Sequence, residues 1–473
     1  MTLHKAVFYI SIMNVLKIYI IRITICTHMY EKKVTSIRIN PQIWKEIKKY
    51  TIDRGMSVSR FVEEFLTILL SPQLERGEPT LSAGRSDFFW EKDLIDFNAG
   101  LLGSNPTRVI GRVVEYLYDV GKYAPSSRKM CERLNKEEDI CRQNLASALG
   151  AEADEILYET NTTKSLRLAF NIIKILTKLS TKDTLLTTDL EHNSTKRLLR
   201  MESGMNVNRV PLLPLFSKGC EKDEIIELFS SAMDSRTRIL FISHIPYLGG
   251  KLPVDEIVKV VKECNNDIFC VIDGAHALGQ LCINVKRIGC DFYGVGAHKF
   301  CLGIPSLGSL YVDIKYLNEL SLNGERFPIF DSYAVPKTFR TDEELGTIDA
   351  IPIIAFNEAF DLLFKYYGID KVQQRIASLA RYFLECTHKN EKTLTMVSPS
   401  NPDLISGVIS IAIRNIHSYD EYERLVEWLE NKHRIICKAL KKPPCIRVCL
   451  SYFIDENDIN RFFEALHEKT ANV

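Results

Sequence analysis

From residue 156 onward the chain alternates short apolar runs with amphipathic stretches, and that alternation constrains the fold more than any other feature. The runs at 156–158, 184–187, 239–242, 269–272 and 292–295 have strand length, and helical patterns such as 165–179 and 254–263 separate them. Strands that alternate with helices pair in parallel and need cover on both faces. The expectation is an α/β domain built on a mostly parallel sheet. The chain has 473 residues, more than one hydrophobic core holds, so two or three domains are expected.

In such sheets the chemistry lies beyond the carboxyl ends of the strands. The residues that close the runs should therefore converge. They are Asn161-Thr162-Thr163, then Asp189 to His192, then Asp273 to His276, then Gly296 to Lys299. A carboxylate, several imidazoles, a lysine and a hydroxyl-rich helix N-terminus suit a cofactor with a phosphate, a basic ring nitrogen and an aldehyde. A lysine amine can hold the aldehyde, a carboxylate can keep the ring nitrogen protonated, and a helix start can cradle the phosphate.

The segments IDGAHALGQ and DFYGVGAHKFCLGIPSLGSLYV carry a resemblance to the cofactor-binding core of the class V aminotransferases. These are pyridoxal-phosphate enzymes that include cysteine desulfurases and isopenicillin-N-epimerase-like proteins, and the similarity runs from about residue 96 to residue 466. It implies fold type I, with a large cofactor-binding domain over 88–345 and a smaller α+β domain over 346–473. It also implies pyridoxal 5'-phosphate, an amino acid substrate and a homodimer.

By that resemblance, Lys299 would be the Schiff-base lysine and the proton shuttle at the substrate α-carbon. Asp273 would pair with the pyridinium nitrogen, His276 would lie near the phenolic oxygen, and His192 would stack on the ring. Thr162 and Thr163 match the phosphate-binding turn, with His298 as a further phosphate contact. Thr347, after Gly346, would reach the phosphate from the neighbouring subunit. Arg447 would grip the substrate carboxylate, and Asn98 falls in the amino-terminal substrate loop.

Three positions depart from the family pattern. Gly296 stands where many relatives carry a phosphate-binding serine, and Tyr247 where desulfurases place an asparagine. A desulfurase also needs a nucleophilic cysteine on a loop well before the arginine. Here Cys445 is two residues from Arg447, and Cys437 sits in an apolar run. A buried thiol is a poor nucleophile, which argues against desulfuration but not against the cofactor.

The amino-terminal region is a separate matter. Residues 34–39 have strand period, Asn40-Pro41 caps a helix, and Ser57 caps a second helix after Gly55. Over 33–70 this resembles the ribbon-helix-helix family of DNA-binding domains. The resemblance implies that Ser36 and Arg38 face the major groove; the alternative is a dimerisation arm that never touches DNA. The module is expected over 29–72 and a linker over 73–87. Residues 1–28 form an apolar leader interrupted by Asn14, Lys17 and Arg22. It reads either as sequence upstream of a true start at Met29 or as a membrane anchor, and the internal charges speak against the anchor.

Composition narrows the remainder. With 61 basic and 60 acidic side chains the chain does not coat nucleic acid or membrane over its whole surface. Thirteen scattered cysteines without a C-x-x-C pattern indicate reduced thiols in a cytoplasmic compartment and no metal site. The functions left open are an amino-acid-transforming enzyme, a regulator in which the cofactor domain senses a ligand, and an enzyme whose amino-terminal module only dimerises.

Overall fold

In the computed structural model, which describes residues 6–14, 17–25, 39–73, 81–91, 93–202, 204–322 and 349–471, seven strands form the central sheet. They are β1 (Ile156–Glu159), β2 (Thr184–Thr188), β3 (Asn206–Val210), β4 (Thr237–Ser243), β5 (Phe269–Asp273), β6 (Phe292–Gly296) and β7 (Gly308–Val312). Their order is β1-β7-β6-β5-β4-β2-β3. Only β7 runs against its neighbours, β1 and β6; every other pairing in the sheet is parallel.

The period of two along these strands explains why the sheet forms. Leu240, Ile242, Cys270, Ile272, Tyr293 and Val295 point into one apolar cluster. Ile239, Phe241, Val271, Phe292 and Leu310 point into another on the opposite face. Both faces are buried, which is the condition under which parallel sheets occur.

The C-terminal region carries a four-stranded antiparallel sheet in the order β8-β9-β11-β10. Its strands are β8 (Leu394–Met396), β9 (Val408–Ile413), β10 (Lys438–Lys441) and β11 (Pro444–Cys449). The chain from 81 to 97 lies against this region before it enters the central sheet. Asp87 accepts hydrogen bonds from Tyr367 at 2.7 Å and Tyr452 at 2.8 Å. Phe88 packs on Trp90 and Phe453. A short parallel pairing joins Ile95–Asp96 to Ile435–Ile436. The expected linker therefore holds, over Leu81–Asp87, a 3-10 helix with its own partners, because Asp87 is buried and satisfied by tyrosine hydroxyls.

Toward the amino terminus, Ala6–Asn14 and Lys17–Ile25 pair as a two-stranded antiparallel hairpin. Among the described residues no helix is long and apolar enough to cross a membrane. Helices α1 (Pro41–Asp53) and α2 (Val58–Leu70) start where their caps predict. The Asn40 side chain accepts from the Gln42 amide, and that of Ser57 from the Arg60 amide. Ile43 and Ile47 pack with Phe61, Phe65, Leu66 and Leu69. Of the strand expected at 34–39, residues 34–38, with Ser36 and Arg38, lie outside the described residues, and Ile39 packs beside the helix pair.

Helix α2 docks on α3 (Thr107–Tyr123) through Gly111. A Cβ there would stand 2.1 Å from the Ile68 carbonyl oxygen and 2.9 Å from Pro72, so only glycine allows the helices to approach this closely. Gly111→Ala should therefore lift α2 from α3. Amide exchange across Val58–Leu70 should rise by about tenfold or more while the central sheet keeps its protection; unchanged exchange in α2 would contradict the contact.

Candidate active site

At the carboxyl ends of the strands lies a pocket lined by Thr162, Thr163, His192, Asp273, His276, His298 and Lys299 together with Ser243 and Tyr247. Its floor is set by strand register. Ser243 on β4 pairs with Asp273 on β5, and Asp273 pairs with Gly294 on β6. The turn beyond β6 then delivers His298 and Lys299 to the same end of the sheet.

Asp273 is buried. It accepts from the Ala275 amide at 3.0 Å and from the Thr195 hydroxyl at 3.2 Å. Burial raises its carboxyl above the usual range, and those two bonds and the Lys299 cation only partly oppose it. Such a carboxylate is well placed to receive a cationic N–H.

Burial also brings the Lys299 amine down to about 8. The Asp273 carboxylate opposes that shift, and the Arg447 cation adds to it. The surrounding protein, then Lys299, Arg447 and Lys438, lower the His192 imidazole to about 4, so this ring is neutral at pH 7. Its Nδ1 accepts from the Ser194 amide at 3.2 Å, and its edge meets Tyr247 at a centroid distance of 6.2 Å.

Helix α4 (Thr162–Leu176) opens into the pocket. Asn161 caps it by accepting from the Lys164 amide at 3.0 Å. The Thr162 hydroxyl is buried without a hydrogen-bond partner, as is Nδ1 of His298. Buried polar atoms without partners are rare and costly. Two of them at a helix N-terminus mark a seat for an anion. Gly296 is explained by the same crowding, because a Cβ there would stand 2.7 Å from the Thr162 hydroxyl. The serine expected at this position in relatives has no room, and Thr162 occupies the space.

The other side of the pocket comes from the amino-terminal loop. His276 faces the carbonyls of Gly100 at 3.1 Å and Ile245 at 3.3 Å. Burial holds its imidazole well below the usual value, so it is neutral and donates to one carbonyl at a time. His276 thus ties the loop to the strand end. Arg447 is buried, donates from Nη1 to the Tyr247 carbonyl at 3.3 Å, and has an unpartnered Nε. Gly100 packs on it: a Cβ there would stand 3.4 Å from its Nη2. The Asn98 side-chain oxygen is likewise buried without a partner. The Tyr247 hydroxyl turns away to the Lys442 carbonyl, so it does not stand in for the desulfurase asparagine.

Nine of the residues singled out from sequence therefore gather in or beside one pocket. Thr347, Ser36 and Arg38 lie outside the described residues. The sequence reading placed Glu191 among the strand-end residues without a role and passed over Ser243. Glu191 is fully buried and accepts from the Ser243 hydroxyl at 2.5 Å and the Thr188 hydroxyl at 2.8 Å. Burial, with the Asp273 charge adding to it, raises its carboxyl to about 7. A carboxylate one position before His192 at a strand end was the available signal.

Comparison with known proteins bears on the family and the fold. A family model described as aminotransferase class-V matches residues 103–462. The chain is 27% identical over 350 residues to a cysteine desulfurase of Wigglesworthia glossinidia brevipalpis, covering 70% of this chain and 80% of that one. It is 28% identical over 396 residues to an isopenicillin N epimerase of Amycolatopsis lactamdurans, covering 79% and 94%. Among solved structures, a C-DES mutant with glycine covalently linked to its PLP cofactor superposes with a TM-score of 0.69 at 21% identity, covering 81% and 98%. The apo cysteine desulfurase of Thermococcus onnurineus NA1 gives a TM-score of 0.69 at 19% identity, covering 84% and 100%.

The lowered Lys299 value makes a pH prediction. Below about 8 its amine is protonated and above it neutral, whereas ordinary lysines need a pH near about 10.4. Reductive alkylation by a small aldehyde, followed by peptide mapping, should therefore show half-maximal labelling of Lys299 near pH 8. A midpoint shared with the surface lysines would contradict the assigned environment.

Proposed function

Since the chain belongs to the class-V aminotransferase family, we propose that it is a pyridoxal-phosphate-dependent enzyme that transforms an amino acid at its α-carbon through Lys299. The observation that carries this reading is the pairing of an unsatisfied anion seat, Thr162 and His298, with a buried carboxylate, Asp273, in the pocket that holds Lys299. Pyridoxal phosphate, when bound, supplies an aldehyde that condenses with amines and a ring that accepts an electron pair.

The chain's residues supply the rest. The amides at the start of α4 and the Thr162 and Thr163 hydroxyls hold the phosphate. Asp273 holds a proton on the ring nitrogen, and that cation in turn satisfies a carboxylate that burial disfavours. The Lys299 amine, neutral in part at physiological pH, accepts the proton from the substrate α-carbon and returns it. Arg447 takes the substrate carboxylate in a two-pronged grip. His192, being neutral, stacks on the ring without opposing its charge.

Transamination, epimerisation and lyase chemistry all use these parts. Desulfuration needs a thiolate besides. Cys437, Cys445 and Cys449 are buried, and burial raises all three thiols, Cys445 to about 12. Desulfuration therefore stands second, although curated relatives carry that name.

We read the enzyme as a homodimer in which Thr347 completes the phosphate seat of the neighbouring subunit. The capped helix pair α1–α2 supports an amino-terminal ribbon-helix-helix-like module that shares the same two-fold axis. Contact with DNA through Ser36 and Arg38 is a finer part of this reading. In gel-shift assays at low salt the full chain should retain a duplex with an affinity that falls as salt rises, and Arg38→Ala should weaken it. Absence of retention would leave the module as a dimerisation arm.

Lys299→Ala should remove both the visible absorbance of lysine-bound cofactor and all turnover. Asp273→Asn should keep the cofactor yet lower turnover by about 100-fold or more, because an amide cannot stabilise the protonated ring. A yellow Lys299→Ala protein, or an Asp273→Asn protein as fast as wild type, would overturn the assignment.

A further inference from the structure

Arg447 has a cationic neighbour that the roles above do not use. On the C-terminal sheet, Lys438 of β10 is the register partner of Arg447 on β11. Directly opposed residues on antiparallel strands point to the same face with Cβ atoms about 4.5–5.5 Å apart, and like charges there repel. Arg447 is only 4% exposed. Its one hydrogen bond to the described residues goes to a neutral carbonyl, and its Nε has no partner. Lys438 is half-buried. Among the described residues no carboxylate lies within ion-pair distance of either. Glu423, on α5 (Tyr419–His433), acts on Lys438 only from further away.

Two adjacent, partly desolvated cations without a counter-charge are expensive in a protein that binds nothing between them. Burial and then the Arg447 charge hold the Lys438 amine below its usual value, the behaviour of a cation that lacks an anion. A substrate α-carboxylate on Arg447 answers only one of the two charges. Beside them, the Tyr247 hydroxyl is committed to the Lys442 carbonyl. The Lys438 ammonium, near enough for its charge to act on both His192 and Lys299, is the cationic donor on the Arg447 side of the site that can meet an anion at the substrate's far end.

We propose that the pocket selects an amino acid whose side chain ends in a second anionic group, with Arg447 holding the α-carboxylate and Lys438 pairing with the side-chain anion. This rests on the placement of the substrate carboxylate at Arg447 and deepens the proposed function.

The test uses the full chain, with and without added pyridoxal phosphate. Calorimetric titration should show succinate binding at least tenfold more tightly than butyrate. The gap should close in Lys438→Met and persist in Lys438→Arg, which also shows that the strand tolerates substitution. In the loaded enzyme, kcat/KM should favour L-aspartate over L-asparagine, L-glutamate over L-glutamine, or O-phospho-L-serine over L-serine. The pair whose ratio falls most in Lys438→Met identifies the anion. Equal binding of succinate and butyrate, or a gap that Lys438→Met leaves untouched, would overturn the proposal. A succinate gap that depends on Lys438 in a protein that takes up no pyridoxal phosphate would support the subsite and overturn the enzymatic reading alone.

Discussion

The central strands of a parallel sheet sealed on both faces take charged side chains only at their ends, and the site of this protein follows from that constraint. Alternate residues of β4, β5 and β6 feed two separate apolar clusters, so charges stand only at the strand ends, Arg238 near the start of β4 and Asp273 at the end of β5. Ser243 and Asp273 sit in register at the last positions of β4 and β5. Glu191 and Lys299 arrive on the turns beyond β2 and β6. Glu191, Asp273 and Lys299 each give up water, and their altered ionisation is the record of that loss.

Close backbone approach is the second half of the construction. Gly103 donates to the His298 carbonyl at 2.8 Å, and a Cβ on it would lie 2.0 Å from the Lys299 carbonyl oxygen. The loop from 98 to 103 is thus laid directly on the turn that carries the lysine. The short pairing of Ile95–Asp96 with Ile435–Ile436 fixes the start of that loop on the C-terminal region, which also supplies Arg447. Three stretches far apart in sequence are held to one another by backbone rather than by long side chains, and such a site loses little order when a ligand enters.

Much of this was legible in the residues. The strand runs ended within one or two positions of where their apolar pattern stopped, since a fully buried strand cannot continue into charged sequence. Helix starts at Pro41 and Val58 followed from Asn40 and Ser57, whose capping is local chemistry, whereas the helical stretch expected from 165 begins at Thr162, capped by Asn161. What could not be read was long-range. Nothing local reveals that Leu81–Asp87 would pack against Tyr367 and Tyr452, or that the α2 backbone would press on Gly111. Glu191 was given no role because that role depends on Ser243, 52 residues away. The Lys438–Arg447 juxtaposition depends on hairpin register, which side-chain pattern alone does not set.

Charge balance joins these observations into a statement about what the pocket is for. Lys299, Arg447 and Lys438 bring three cationic groups to the site. Against them stand Asp273, whose burial favours its neutral form, and Glu191, which is raised to about 7 and bound to hydroxyls. His192 adds no charge at pH 7, because loss of water around its ring and those same cations hold it neutral. The protein alone is thus electropositive where it is least hydrated, an arrangement that stability would not select. An anion on the α4 N-terminus and a carboxylate on Arg447 would each remove part of the excess, and both belong to ligands rather than to the chain. The site therefore makes electrostatic sense only as one built around bound anions, so affinity for its ligands and the cost of maintaining it have the same physical origin.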